Sequence, residues 1–305
     1  MLQLFRLLSK LPLRWLHAVG AIAGWLTYWA SPTYRRRFQA NVRVAGLSWA
    51  AARGGIAHAG RMIVETPWLW MRPPGQPLGD AVQWEGAELV EAAMAQGKGL
   101  MLLTPHLGCF EICAQAVAER FGAVAPLTVL FRPARQAWLR EVVDASRERP
   151  CLNTAPANLA GVRQMLRALR QGHTIGLLPD QVPPQGLGVW APFFGEPAYT
   201  MTMAGKLLQQ TGAAALLMWG ERLPKGRGFV VHVRPGPVIA ADASPEAAAT
   251  AINQAMEELI RLAPAQYLWG YHRYKQPREL DIAAAPVVAA AATTAAAASN
   301  KNKES

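Results

Sequence analysis

The stretch GLMLLTPHLGCFEIC, residues 99–113, joins a short apolar run to a histidine and a glutamate. Residues 99–104 have the length and apolarity of a buried strand, and residues 109–120 have the pattern of a helix. Pro105 and His106 lie between them, where a turn is expected. The stretch therefore predicts a strand, a turn and a helix, with Glu111 in the first turn of that helix.

The spacing of His106 and Glu111 supports this arrangement. Residues five apart on an ideal helix are rotated by roughly 500°, about 140° from alignment, so they could not face each other. After a turn, the Glu111 carboxylate could reach back to one ring nitrogen, fix the tautomer and stabilise an imidazolium. His106 would then be a general base. The alternative is a histidine bonded to a loop carbonyl beside a glutamate that caps the helix.

Helix and strand patterns alternate through the chain beyond about residue 80. Helices are predicted at 85–97, 134–148, 158–171, 201–211 and 244–263, and further strands at 126–131, 174–179, 213–220 and 228–236. This alternation predicts an α/β sandwich with a mostly parallel sheet. Sites in such sheets form at the carboxyl ends of the strands.

Charge and tryptophan are concentrated in the first quarter of the chain. The 305 residues are 51% hydrophobic, ample for a buried core, and carry a net charge of +11. Residues 1–80 hold ten basic and two acidic side chains, and six of the eleven tryptophans. This mixture is typical of a surface that binds an anionic membrane. A nucleic-acid surface is the rival interpretation, and it is disfavoured because the sequence contains no recognisable nucleic-acid-binding module.

The N-terminal region contains a nearly uninterrupted apolar segment. Residues 11–30, LPLRWLHAVGAIAGWLTYWA, precede SPTYRRR and approach the length that spans a bilayer. A cleaved signal peptide is the competing interpretation, but Trp15, Trp25, Tyr28, Trp29 and Tyr34 favour an anchor that is retained in the mature protein. Residues 1–35 are therefore predicted to be a retained membrane-anchor helix, which spans the bilayer or lies in its interface. Arg35–Arg37 on the cytoplasmic side would place the remaining chain in the cytoplasm.

The rest of the chain divides into three predicted parts. Residues 36–80 read as a basic, helical, membrane-proximal region that ends at a cluster of prolines and Gly75. Residues 81–275 carry the α/β pattern and form the predicted catalytic core. Residues 276–305 are an alanine-rich, low-complexity tail with a polar tip, to which we assign no function.

The three cysteines, Cys109, Cys113 and Cys151, are too few and too irregular for a disulfide framework and indicate a reducing compartment. Two of them with His106 could form part of a metal site, but a fourth ligand at suitable spacing is missing. Buried helix cysteines are the favoured interpretation, and no metal or cofactor is predicted. The chain also lacks the G-x-S-x-G, HExxH, Walker and G-x-G-x-x-G motifs.

The motif HLGCFE at 106–111 resembles the H-x4-[D/E] box of the glycerolipid acyltransferase superfamily. The wider sequence resembles one branch, the lipid A biosynthesis lauroyl and myristoyl acyltransferases of Gram-negative bacteria. Four further matches follow in order: VLFRPARQ (129–136), LLPDQVP (177–183), VWAPFFGEPAYTMTMAGKLLQQTGA (189–213) and QYLWGYHRYK (266–275). The resemblance covers roughly residues 1–275. The family box usually reads His-Phe-Gly-Asn-Trp-Glu, and here Cys109 and Phe110 replace its last two variable residues, which could alter helix capping.

The resemblance implies an O-acyltransferase with a glycerolipid-acyltransferase-like fold at the bacterial inner membrane, its catalytic domain on the cytoplasmic face. His106 and Glu111 would be catalytic: an acceptor hydroxyl would lose its proton to His106 and attack the thioester of an acyl carrier protein. The implied partners are that carrier protein, a lipid A precursor and the anionic inner membrane. Two alternatives remain, a related acyltransferase acting on another glycolipid or aminolipid, and a nonenzymatic membrane lipid-binding protein.

The same resemblance indicates substrate-binding residues. Arg132, just after a strand, is a candidate for a phosphate of donor or acceptor, because a guanidinium binds phosphate bidentately. Asp180 and Gln181 could orient Arg132 or the acceptor sugar, or belong to a plain turn. Phe193, Phe194 and Gly195 could wall an acyl groove, although the two phenylalanines could equally be core. Arg135, Arg140 and Arg147 are candidates for docking the acidic carrier protein, or for ordinary solvated charge.

Overall fold

The computed structural model describes residues 2–73, 75–131 and 149–279. Its helices are α1 (Leu2–Ser9), α2 (Leu13–Ala30), α3 (Pro32–Val44), α4 (Trp49–Ala52), α5 (Gly54–Trp70), α6 (Ala87–Ala95), α7 (Phe110–Phe121), α8 (Leu159–Arg170), α9 (Met203–Thr211) and α10 (Pro245–Leu262). Its strands are β1 (Val82–Glu85), β2 (Leu100–Leu103), β3 (Leu127–Phe131), β4 (Leu152–Pro156), β5 (Thr174–Leu177), β6 (Gly188–Phe193), β7 (Glu196–Met201), β8 (Ala214–Arg222) and β9 (Phe229–Pro235).

Seven strands form one sheet in the order β1-β9-β8-β2-β5-β3-β4. Neighbouring strands run parallel except β8 and β9, which are antiparallel. Strands β6 and β7 form a separate antiparallel hairpin. The predicted α/β fold with a mostly parallel sheet is confirmed.

Helices cover both faces of the sheet, as its central strand shows. All four residues of β2 are buried, and they alternate between two core clusters. Leu100 and Leu102 pack with residues of α6 and α7, whereas Met101 and Leu103 pack with residues of α8, α9 and α10. The period of two along the strand thus explains why an unbroken apolar run was needed at this position.

The predicted strands and helices of residues 85–131 and 158–263 lie within a few residues of the observed ones. The helix predicted at 134–148 lies outside the described residues. The sequence patterns do not predict β1, β4 or the β6–β7 hairpin. Strands β1 and β4 are short sheet edges with exposed positions, and the hairpin contains Pro192 and Pro197, which weaken a strand signal.

The N-terminal helices pack against each other and against the core. Helices α2 and α5 cross closely at glycines: a Cβ on Gly60 would lie 1.9 Å from the Gly20 carbonyl oxygen, and one on Gly24 would lie 2.2 Å from that of Ile56. From α3, the Asn41 amide donates to the carbonyls of Trp269 and Tyr271, both at 2.6 Å. Within the described ranges, no helix has both the length and the apolarity to cross a membrane. The expected membrane-anchor helix is therefore not supported as a spanning segment.

A buried ion pair also joins these helices to the sheet. Glu65 of α5 accepts hydrogen bonds from Arg222 at the end of β8, at 2.5–3.0 Å, and its Oε2 lies 2.9 Å from His17 Nε2. Glu65 and Arg222 are 1% and 3% exposed. Burial by itself would raise the pKa of Glu65, but Arg222 and His17 outweigh it and lower that pKa to about 2. The carboxylate is thus held ionised inside the protein.

Candidate active site

His106 lies in the loop between β2 and α7, at the carboxyl end of the sheet. Gly108 adopts a φ of +58°, and a Cβ there would lie 2.0 Å from the Gly220 carbonyl oxygen. That same oxygen accepts a hydrogen bond from the Cys109 backbone N–H at 2.7 Å. Only glycine permits this close left-handed turn, which ties the histidine loop to the end of β8.

A buried carboxylate contacts the imidazole on its Nδ1 side. Asp180 follows β5, the parallel neighbour of β2, so the two loops meet at one edge of the sheet. His106 Nδ1 lies 2.7 Å from Asp180 Oδ1, and the His106 backbone N–H donates to Oδ2 at 2.9 Å. The Asp180 side chain is 2% exposed and that of His106 16%. The carboxylate therefore holds both the ring and the backbone of the histidine.

The other ring nitrogen contacts an amide. Gln181 Nε2 lies 3.0 Å from His106 Nε2. In a neutral imidazole with its proton on Nδ1, Nδ1–H donates to Asp180 and the Nε2 lone pair accepts from the amide N–H. The arrangement selects the tautomer in which Nε2 is the basic nitrogen.

Asp180 has a third hydrogen-bond donor. The hydroxyl of Tyr267, a residue that is 5% exposed, donates to Oδ2 at 3.2 Å. Burial by itself would raise the pKa of Asp180, but the imidazole and the hydrogen bonds from His106 outweigh it and lower that pKa. Asp180 is thus an ionised group whose lone pairs are directed at defined donors.

Glu111 lies in the first turn of α7, as predicted, but both ring nitrogens of His106 contact other residues. Its Oε2 accepts from the Trp70 indole N–H at 3.1 Å. The preceding residue, Phe110, contacts the imidazole edge to face, with ring centroids 4.8 Å apart. Asp180, not Glu111, is therefore the carboxylate seen on Nδ1, and Trp70 at the end of α5 contacts Glu111.

Phe193, Phe194 and Gly195 form the tip of the β6–β7 hairpin. Phe193 is 2% exposed and Phe194 8%, and both belong to a hydrophobic core cluster. Phe194 and Gly195 have φ angles of +50° and +82°, as a tight hairpin turn requires. The two rings pack on Tyr274 and Trp269, respectively. The structure thus places the phenylalanines in packed core contacts.

The arginines proposed for phosphate and carrier binding, Arg132, Arg135, Arg140 and Arg147, lie outside the described residues. In the described ranges, no group of three histidine, cysteine or acidic side chains could hold a metal ion. Cys109 and Cys113 are buried and free. Burial raises the pKa of Cys113 to about 12 and that of Cys109 well above its usual value, so neither is a thiolate near neutral pH.

Sequence reasoning missed five contacts of this site: Asp180 and Gln181 on His106, Tyr267 on Asp180, Phe110 on the imidazole and Trp70 on Glu111. Tyr267 lies within the motif QYLWGYHRYK, whose density of aromatic residues was the available signal. Its hydroxyl reaches Asp180 across 87 positions of sequence, a distance that no local pattern reports.

These residues together can abstract a proton. A neutral histidine with a buried carboxylate on Nδ1 and a basic Nε2 is suited to deprotonating a hydroxyl held beside Nε2. The carboxylate would stabilise the imidazolium that results.

Known proteins are similar to this chain over most of its length. Residues 1–276 match the family described as bacterial lipid A biosynthesis acyltransferase. The chain is 25% identical over 217 residues to the lipid A biosynthesis lauroyltransferase of Escherichia coli K12, covering 71% of this chain and 68% of that protein. It is 26% identical over 220 residues to the palmitoleoyltransferase of the same strain, with the same coverage, and 23% identical over 188 residues to its myristoyltransferase, covering 62% and 57%.

Proposed function

Because the chain belongs to the bacterial lipid A biosynthesis acyltransferase family, we propose that it transfers a fatty acyl chain from acyl carrier protein to a hydroxyl of a lipid A precursor. It is an O-acyltransferase, as the named activities of its relatives require. We propose the identity of the acyl donor, the identity of the acceptor and the roles of individual residues.

One observation carries the mechanism: His106 Nδ1 is held by a buried, ionised Asp180, which leaves Nε2 as the base. The acceptor hydroxyl gives its proton to Nε2, and its oxygen attacks the thioester carbonyl carbon. The C–S bond then breaks, and the departing sulfur takes the proton from the imidazolium. The products are an ester and a free carrier thiol, and no covalent enzyme intermediate is formed.

The amide of Gln181 occupies the position next to Nε2 at 3.0 Å. An acceptor hydroxyl must approach the same nitrogen at a similar distance to be deprotonated. We assign Gln181 to acceptor binding: its amide releases Nε2 and forms a hydrogen bond with the incoming sugar instead. Asp180 acts on the imidazole rather than on the sugar.

Glu111 supports the reaction through its charge. It lies one residue beyond Phe110, whose ring touches the imidazole, so its carboxylate adds negative potential near the imidazolium. Trp70 fixes one of its oxygens. This keeps Glu111 in the catalytic unit with a role separate from that of Asp180.

The membrane is the proposed location, and one face of α2 supports it. Trp15, Val19, Ile22, Leu26 and Trp29 recur every three or four residues and are 52–63% exposed; we call them the α2 stripe. Its terminal tryptophans are fourteen positions apart, or about 21 Å along a helix. A stripe that runs the length of the helix fits a helix lying flat in a bilayer interface.

Charge at both ends of the α2 stripe indicates an anionic bilayer. The Arg14 guanidinium lies 5.8 Å above the Trp15 ring, and Arg35 donates to the Trp29 carbonyl at 3.1 Å. Arg36 and Arg37 follow with exposed side chains. Each cation near such a surface adds about 1 kcal/mol of attraction, and tryptophan favours the headgroup layer. Docking at the cytoplasmic face of the inner membrane would present the site to its lipid acceptor.

An acyl-transfer assay would test the proposal: purified protein is mixed with radiolabelled acyl carrier protein thioester and a lipid A precursor, and mass spectrometry locates the new ester. Transfer to the precursor that is lost in His106→Ala and kept in His173→Ala supports it. Transfer only to another glycolipid or to an aminolipid, or binding without transfer, would replace it with one of the two alternatives.

A further inference from the structure

The segment of residues 264–274 is bound to the histidine loop by backbone hydrogen bonds. The Leu268 N–H donates to the His106 carbonyl at 3.1 Å, and the Gly108 N–H donates to the Gln266 carbonyl at 3.0 Å. Leu107 and Tyr267 pair as an isolated antiparallel bridge. Tyr267 therefore sits beside the loop that carries the base, at a position set by backbone contacts on both of its sides.

We propose that Tyr267 is a positioning residue for the general base: its hydroxyl fixes the Asp180 carboxylate, which in turn fixes the His106 imidazole. The inference rests on the proposed role of His106. Tyr267 would be a third member of the unit that His106 and Asp180 form. It lies outside the two loops that follow β2 and β5.

The two oxygens of Asp180 have separate tasks. Oδ1 faces the imidazole Nδ1 at 2.7 Å, while Oδ2 accepts from the His106 N–H at 2.9 Å and from the Tyr267 hydroxyl at 3.2 Å. Two donors on Oδ2 prevent the carboxylate from rotating about its Cβ–Cγ bond. Oδ1 therefore remains directed at the ring.

Burial keeps Tyr267 a donor. Burial and the adjacent Asp180 charge raise the pKa of Tyr267 well above its usual value, so its proton stays on the hydroxyl at any physiological pH. Arg273, which is 2% exposed, is the other charged group whose field reaches both residues. It donates to the Tyr199 carbonyl and to the Thr200 hydroxyl, at 2.8 and 2.7 Å, and stabilises the ionised Asp180 from a distance.

The hydroxyl also moderates the charge on Asp180. A hydrogen bond to a carboxylate stabilises it and lowers the charge it offers to a neighbouring imidazolium. Removal of the Tyr267 hydroxyl should strengthen the attraction for the imidazolium but loosen its geometry. Removal of the Asp180 charge should abolish that attraction. The two changes therefore move the acidic limb of the kcat/KM profile in opposite directions.

The test is the pH dependence of acyl transfer in Tyr267→Phe, with Tyr271→Phe as the matched control. Tyr271 lies in the same segment, but its hydroxyl accepts from the Val182 N–H and does not touch Asp180. In Tyr267→Phe we expect kcat to fall about tenfold, the effect of one hydrogen bond to a charged group, with KM changed less than about twofold. Its acidic limb should move to higher pH, whereas that of Asp180→Asn should move to lower pH. Tyr271→Phe should keep the wild-type limb.

A double variant separates positioning from a purely structural effect. In the Asp180→Asn background, Tyr267→Phe should no longer move the acidic limb, because the hydroxyl acts through the carboxylate. All profiles are measured at a temperature where thermal unfolding shows each variant to be folded. A wild-type limb in Tyr267→Phe, or an equal shift in the Asp180→Asn background, overturns the inference. If His106→Ala is inactive in the same experiment, the proposed function survives that failure; an active His106→Ala would instead refute the proposed role of the base.

Discussion

His106 Nδ1 and Asp180 Oδ1 lie 2.7 Å apart although 74 positions separate the two residues in the chain. The contact arises because β2 and β5 are parallel neighbours whose carboxyl ends open onto the same edge of the sheet. Glu111, five positions from the histidine, is instead held by an indole of α5. The proposed catalytic unit is thus built from three separate stretches of the chain.

Replacement of the proposed base is the first test. His106→Ala should lower kcat by about 10²- to 10⁴-fold, the usual contribution of a general base, because the acceptor proton then has no recipient. The backbone N–H of residue 106 can still donate to Asp180 in this variant, so we expect circular dichroism and vesicle binding to be unchanged. Activity close to that of the wild type in the folded variant would remove His106 from the mechanism.

The charge of Glu111 can be separated from its shape. Glu111→Gln keeps an oxygen that can accept from Trp70 but removes the negative charge, and we expect kcat to fall at least about tenfold, or roughly 1.4 kcal/mol. The control is Glu91→Gln. Glu91 lies on α6 and forms an exposed ion pair with Arg120, so this variant should be fully active. An active Glu111→Gln together with an inactive Glu111→Ala would assign the residue a structural role only.

The α2 stripe can be disrupted without touching the core. Trp15 and Trp29 are 58% and 63% exposed, so Trp15→Ser with Trp29→Ser should leave folding intact. Affinity for vesicles containing anionic lipid, measured by co-sedimentation, should fall at least about tenfold, because the interfacial anchors are lost. The control is Val238→Ser. Val238 is 95% exposed and lies outside the N-terminal helices, so this variant should bind like the wild type. Equal binding by all three proteins would place the membrane contact elsewhere.

Glu65 should control acid stability. Its folded-state pKa of about 2 lies below its usual 4.5, so its contribution is complete above pH 4.5 and is lost as the pH falls towards 2. Glu65→Gln should cost about 3–5 kcal/mol of unfolding free energy at neutral pH, because Arg222 is left buried without its partner. It should also lose stability less steeply than the wild type below pH 4.5. Denaturant titrations of tryptophan fluorescence at several pH values measure both effects; matching curves for the two proteins would contradict the assignment.

Phe194 distinguishes core packing from an acyl-groove role. The Phe194 ring packs on Trp269, and its centroid lies 5.0 Å from the guanidinium carbon of Arg261. The residue is 8% exposed. Phe194→Ala should lower the free energy of unfolding by about 3–5 kcal/mol. The preference among donors of different chain length, assayed at a temperature where the variant is folded, should stay unchanged. A changed chain-length preference at unchanged stability would restore the proposed acyl wall.

Local sequence determined most of the framework. The apolar run at 99–104 predicted a strand, and the turn residues after it predicted that His106 precedes a helix, because periodicity and turn chemistry act over a few residues. The same local signals defined α6 to α10 and the central strands. They also predicted that α2 is an apolar helix, but they could not show which side of its surface faces α5.

Tertiary structure alone decided which groups meet. Three contacts of the site join residues that are far apart in the sequence. Trp70 and Glu111 are 41 positions apart, His106 and Asp180 are 74, and Asp180 and Tyr267 are 87. Spacing favoured Glu111 as the partner of His106 because it was near in sequence, whereas strand order made Asp180 the partner. Likewise, the glycine crossing of α2 and α5 buries one side of the apolar helix and leaves the α2 stripe exposed. Periodicity reports how each segment folds, but the choice among distant partners depends on how the segments pack, since that packing fixes which side chains share the same buried volume.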